Sequence, residues 1–92
     1  MEHTNETIGP KEAQALLDKL MPNYRPIDER QVEDYAKLMR QGAWMPTPEP
    51  IHVDEEFGLV NGRRRLVALV RANAELVFTV LRGKFDFLRE QG

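Results

Sequence analysis

Apolar residues recur along this chain in two rhythms. Ala13, Leu16, Leu17 and Leu20 follow one another at helical spacing, with Lys11, Glu12, Gln14, Asp18 and Lys19 largely off the stripe, which predicts an amphipathic first helix. Pro10 suits its first turn, where a missing N–H costs nothing, and Pro22 stops it near Leu20 or Met21. Val32, Tyr35, Ala36 and Met39 repeat the pattern, with Leu38 beside them. Asp28 is placed to cap this second helix, Gln31 stands where a capping box needs it, and Ile27 can staple onto Val32. Gly42 supplies a left-handed stop, reinforced by Lys37 and Arg40 in the last turn.

The second rhythm is shorter. Ile51-His52-Val53 alternates at the strand period, and Gly58-Leu59-Val60, beyond the acidic turn Asp54-Glu55-Glu56, reads as its hairpin partner. Asn61-Gly62 permits two continuations. It is the favoured pair for a tight type I′ hairpin, which would make residues 64–70 a third strand. Leu66, Leu69, Val70 and Ala74 instead follow helical spacing, and Ala68 and Ala72 are good helix formers. The helix is the reading adopted, with Asn73 as its stop. Residues 75–82, rich in β-branched and aromatic side chains, are the clearest strand and end at Gly83. Residues 1–8 read as a disordered N-terminus, 9–83 as the domain and 84–92 as a tail. In that tail Phe85, Phe87 and Leu88 either cover a sheet edge or meet a second copy in a homodimer. The order helix, helix, strand, strand, helix, strand predicts a small α+β domain, a short mixed sheet packed with three main helices.

Composition narrows the function classes. The 92 residues leave room for one small domain, and 41% apolar with 30% charged residues is ordinary for a globular protein. The absence of cysteine excludes disulfides, thiolate metal sites and cysteine nucleophiles. The polar opening Met1-Glu2-His3-Thr4-Asn5-Glu6-Thr7 resembles neither a secretory signal nor a transit peptide, and no apolar run long enough to span a membrane follows. A cytoplasmic protein without a membrane partner is therefore expected. Fifteen acids against thirteen bases leave a formal charge of −2, whereas proteins that live on nucleic-acid backbone are usually basic.

Positive charge is instead gathered at Arg63-Arg64-Arg65, which suits a small phosphorylated ligand better than a long duplex. Three arginines at a helix start are electrostatically misplaced, because the unpaired N–H groups there already carry partial positive charge. A bound anion, held by those N–H groups and the guanidinium forks together, would resolve the misfit. The alternative is a solvated basic turn pairing with the acids of 54–56, worth only ~0.2–1 kcal/mol per pair. Arg25 is either a second phosphate or base contact or a surface arginine stacked on Tyr24 or Trp44. Asn23 suits an Asx turn in its own loop, and Trp44 suits a core anchor between the second helix and the sheet. His52 and Asp54 share a strand face, but two ligands at that spacing are read as an exposed face, not a metal site.

These pieces, in order, resemble the N-terminal domain of the ParB/sulfiredoxin-like superfamily in its small phage- and actinobacterial-type branch. The resemblance runs from Ile8 to Gly83. It rests on Pro10 and Ala13, on Asn23 with Arg25 and Pro26, and on Val32, Tyr35, Ala36, Met39, Gly42 and Trp44. It continues through Pro50-Ile51-His52-Val53-Asp54, Gly58-Leu59-Val60 and Asn61-Gly62-Arg63-Arg64-Arg65-Leu66. It implies a nucleotide-binding fold whose motif cradles the phosphates of CTP, or of ATP in relatives, with Mg²⁺ arriving alongside the nucleotide. Gly62, Arg64, Arg65 and Ala68 match that motif. Arg63 stands where the motif has an acid, and Val67 where it has a last arginine. A regulatory or accessory module that binds its ligand without turning it over is therefore expected, and the cysteine chemistry of sulfiredoxin is ruled out. ParB proteins continue into a helix-turn-helix domain where this chain stops near Gly92, so DNA reading by that route is not expected. The ligand-binding set implied is Asn61, Gly62, Arg63, Arg64 and Arg65, with Arg25 and Asn23 from the proline-bearing loop. Two other readings remain: a nucleic-acid-associated protein using the 63–65 arginines on phosphates, and a ligand-free interaction protein.

Overall fold

In the computed structural model, residues 2–19 and 26–85 are described. Seven elements follow in order: β1 (Glu2–Ile8), α1 (Pro10–Leu17), α2 (Glu29–Arg40), β2 (Ile51–Asp54), β3 (Gly58–Asn61), α3 (Arg63–Ala72) and β4 (Leu76–Gly83). The strands form one sheet in the order β1-β4-β2-β3. β2 and β3 are the antiparallel hairpin expected, with a bulge between His52 and Val53. From β3 the chain crosses over as α3 and returns as β4, parallel to β2, with Ile51 opposite Val80. The result is a small α+β domain with a mixed sheet and three helices.

Residues 1–8, expected to be disordered, are corrected by the structure: Glu2–Ile8 is a strand paired antiparallel to β4 over its whole length, from Glu2 opposite Arg82 to Ile8 opposite Leu76. Its composition is polar because it is an edge strand with only Ile8 buried. The backbone ladder, Thr79 Oγ1 donating to Asn5 Oδ1 (3.0 Å), and the Glu6–Arg82 pair (2.8 Å) hold it instead of an apolar face.

The helices follow local chemistry closely. Asp28 caps α2 by accepting from Gln31 N (3.2 Å), and Gly42 leaves it at φ 68°. α1 starts with Glu12 Oε1 accepting from Gly9 N (2.9 Å), but it ends at Leu17, earlier than its apolar stripe predicts. The reason lies in the fold. The Lys19 carbonyl turns away to accept from Leu59 N (2.9 Å), tying the end of α1 to β3. The backbone passes so close that a Cβ on Gly58 would lie 1.9 Å from that oxygen.

The core lies between one face of the sheet and the helices. Ile51, Val53, Leu59, Phe78 and Val80 come from the strands, Ala13 from α1, Val32, Ala36 and Met39 from α2, and Leu66, Ala68 and Leu69 from α3. α3 is the central helix, packed on both α1 and α2. Arg71 fastens its far end to α2, with Nη1 2.6 Å from Glu29 and 2.8 Å from Glu33. Those two hydrogen bonds raise the Arg71 pKa above its usual value, and the bond from Arg71 lowers that of Glu29. At the opposite edge, buried Asp54 accepts from Glu56 N (2.8 Å), Phe57 N (2.9 Å) and Phe85 N (2.9 Å). Phe85 is thereby laid over β2, its ring stacked on His52 at 5.4 Å. Phe87 and Leu88 lie outside the described residues. Among the described residues, no helix is long and apolar enough to cross a membrane.

Candidate functional site

Asn61, Gly62, Arg63, Arg64 and Arg65 lie together, where β3 hands over to α3, and line one wall of a cleft of about 590 Å³. That is within the size range of small-molecule sites, roughly 300–1,000 Å³. Gly62 makes the hand-over possible. It sits at φ 110° and ψ 8°, a left-handed conformation, and starts α3 without a side-chain cap. Gly62 thus brings no side-chain cap to the first-turn N–H groups of α3. The type I′ alternative is not what forms: Asn61 ends β3 and Gly62 is the N-cap of a helix.

The three arginines have three different situations. Arg65 is buried, and its guanidinium is spent on the loop between α2 and β2. Nη1 donates to Thr47 Oγ1 (2.9 Å) and to the Glu49 carbonyl (2.5 Å), and Nη2 to the Pro50 carbonyl (3.2 Å). Burial pulls its pKa below the usual value, and the nearby Glu49 carboxylate partly offsets this. Arg65 is thus a strut that fixes the opposite lip of the cleft. Arg64 is exposed, and its Nη1 donates to the amide oxygen Oε1 of Gln31 on α2. Arg63 is half-buried at the cleft wall. Neither Arg64 nor Arg65 turns towards the acids of 54–56. Asp54 is occupied as described, and Glu55 lies 3.6 Å from Lys84.

The facing wall comes from positions that carry no functional signal in the sequence. Thr47 and Glu49 belong to a stretch read only as a turn, yet Glu49 is fixed twice, by Arg65 on its carbonyl and by Asn61 Nδ2 donating to its carboxylate (2.5 Å). Pro26, Ile27, Asp28 and Tyr35 complete the lining. Tyr35, on the apolar stripe of α2, packs against the core as that stripe predicts; it is half-buried, accepts from Gln31 Nε2 (2.7 Å) and meets Trp44 edge to face at 5.0 Å and 71°. Gln31 had only a capping signal.

Arg25 and Asn23 lie outside the described residues. His52 stacks on Phe85, and among the described residues no group of three or more His, Asp or Glu side chains comes together to hold a metal ion. The cleft is thus lined by Arg63 and Arg64, the start of α3 and the strut Arg65, with two carboxylates, Asp28 and Glu49, and the polar side chains of Thr47 and Asn61. Compared with protein-family models, with curated proteins and with solved structures, the chain matches none.

Proposed function

We propose that this protein is a small phosphate-ligand-binding module of the ParB-like kind, taking a nucleotide such as CTP or ATP in the cleft at the start of α3 and acting as a regulatory or accessory protein. The observation that carries this reading is the meeting of Arg63, Arg64 and the uncapped first turn of α3 on one wall of a ligand-sized cleft. Two features support it further. Arg64 is exposed and its partner Gln31 is neutral, so that contact leaves the charge of Arg64 uncompensated. Arg65 is held by the fold on three acceptors and is therefore not counted among the groups that would meet the ligand.

The residues present fit a nucleotide. Arg63 and Arg64 would take phosphate oxygens, Thr47 and Asn61 would hydrogen-bond the sugar or base, and Ile27 with Pro26 offers an apolar floor for a ring. A bound nucleotide supplies the phosphate charge that the start of α3 lacks. Mg²⁺ carried in on those phosphates would meet the carboxylates of Asp28 and Glu49. The same two acids disfavour the long phosphate backbone of a duplex. With Arg63 at the position of the motif's acid, the site is built to hold its ligand and not to hydrolyse it.

Isothermal titration with CTP and ATP, with and without Mg²⁺, tests the reading on the wild type and on Arg64→Ala. Binding that weakens about tenfold or more in Arg64→Ala supports it. No heat at millimolar nucleotide ends it. A steep fall of DNA affinity with salt, with a log–log slope near −0.9 per phosphate contacted, would move the assignment to nucleic acid.

A further inference from the structure

Gln31 is in an unusual position for a helix-capping residue. Its backbone N–H completes the Asp28 cap (3.2 Å), but its side chain does not return to close the box. Nε2 donates to the Tyr35 hydroxyl (2.7 Å), and Oε1 accepts from Arg64 across the gap between α2 and α3. The amide thus sits on the guanidinium that faces the cleft, one helix away from where local chemistry would place it. A capping-box residue whose side chain serves the cleft-lining Arg64 instead points to a second task.

We propose that Gln31 is a displaceable stand-in for the ligand: its amide oxygen occupies the Arg64 guanidinium until a phosphate group takes that place, and the exchange passes through Tyr35 to Trp44. The proposal rests on the phosphate-binding reading of the cleft and adds to it a competitor built into the fold and an optical reporter. The physical basis is the strength order of hydrogen bonds. An arginine bonds a charged oxyanion roughly twice as strongly as a neutral acceptor, so a phosphate group displaces a carboxamide, whereas a neutral ligand does not. The latch therefore selects for charge.

The route to Trp44 is short. The carboxamide that bonds Arg64 through Oε1 also holds the Tyr35 hydroxyl through Nε2, so its reorientation on leaving Arg64 is felt at Tyr35, whose ring packs edge to face against Trp44 at 5.0 Å. Trp44 is the single tryptophan of the chain, so its fluorescence reports this corner alone.

The test uses the full chain, with inorganic phosphate, inorganic triphosphate, CTP and ATP as probes, read by calorimetry and by Trp44 fluorescence. In the wild type, saturation shifts or quenches the emission. Gln31→Ala removes the competitor, and its affinity for the probes rises about tenfold, the worth of one hydrogen bond to a charged group. Gln31→Glu keeps the shape but places a permanent carboxylate on Arg64, and affinity falls at least tenfold at neutral pH and recovers as that carboxylate is protonated. Gln31→Met, similar in volume, repeats the gain of Gln31→Ala, and circular dichroism on each variant confirms that α2 is intact. Equal or weaker binding by folded Gln31→Ala and Gln31→Met overturns the latch while leaving the phosphate site standing, as does tryptophan emission unmoved at saturation. A wild type that binds none of the probes overturns both.

Discussion

Gly62 and Ile51 approach so closely that the glycine position has no room for a side chain: a Cβ there would lie 2.4 Å from Ile51 Cδ1. Ile51 is fully buried, and Gly62 is at φ 110°, so crowding and backbone strain act in the same direction. Gly62→Ala is expected to destabilise the fold by about 2–4 kcal/mol. The measurement is a lower urea midpoint at unchanged slope. A loss under about 0.5 kcal/mol, the size of an ordinary surface change, would mean that Ile51 simply rotates away.

Asp54 is expected to be as sensitive as any apolar core residue. It is 1% exposed, and its two oxygens accept from the backbone of Glu56, Phe57 and Phe85. Asp54→Ala strands those three N–H groups and releases Phe85 from His52, which should cost about 4–5 kcal/mol, since each hydrogen bond to a charged group contributes about 1.5 kcal/mol or more. Thermal unfolding followed by circular dichroism, with His52→Ala for comparison, separates the two effects. The stacking contact alone is worth about 1 kcal/mol, so similar losses in the two variants would assign the role to the ring pair and not to the carboxylate.

Much of this arrangement was legible from local chemistry. Asp28, Gly42 and Asn73 mark helix ends because capping depends on neighbours in sequence, and the helical spacing of Leu66, Leu69 and Val70 outweighed the Asn61-Gly62 turn signal. What stayed hidden depends on partners far along the chain. Glu2–Ile8 has no apolar alternation because an edge strand is held mainly by its ladder to β4. Arg65 is chemically identical to Arg63 and Arg64, and only the folded path of residues 47–50 turns it from a ligand candidate into a strut. One wall of the cleft could be read from the arginine run; the wall formed by Tyr35, Thr47 and Glu49 is assembled by tertiary structure.

The pairing of Glu6 with Arg82 makes β1 sensitive to acid. Hydrogen bonds from Arg82, with a smaller one from Thr4, bring the Glu6 carboxyl down from its usual 4.5 to about 2 despite some desolvation. A folded-state pKa below the unfolded one stabilises the protein above pH 4.5 and ceases to do so as pH falls through about 2. Solvent screens the pair, since the Arg82 side chain is 46% exposed, and its contribution is held to about 1 kcal/mol. Urea midpoints of wild type and Glu6→Gln should differ by that amount near neutral pH and converge as the pH falls from 4.5 to about 2. Amide exchange along β1 should quicken over the same range. A difference that persists at the acid end would assign the loss to packing rather than to charge.

Arg64 and Arg65 are neighbours with opposite expected phenotypes. Arg64 is exposed and bonded to a neutral amide, so Arg64→Ala should change stability by no more than about 0.5 kcal/mol, while the proposed function predicts weaker nucleotide binding. Arg65 is 8% exposed with three acceptors on its guanidinium. Arg65→Ala leaves the Thr47 hydroxyl and two carbonyls without their donor, a cost of about 2–3 kcal/mol, and frees the lip of the cleft. Lysine cannot reproduce the planar fork, so Arg65→Lys should recover only part of that stability. Urea unfolding and nucleotide titration on the same three variants read both axes. The expected pattern is a loss of affinity without a loss of stability at Arg64, and a loss of stability at Arg65 that Arg65→Lys partly restores. Affinity at Arg65 should follow the stability of the lip, so that Arg65→Lys binds better than Arg65→Ala. The reverse pattern, with Arg65→Ala folding normally and losing all binding, would make Arg65 a direct ligand contact and reduce the bonds to Thr47, Glu49 and Pro50 to incidental ones.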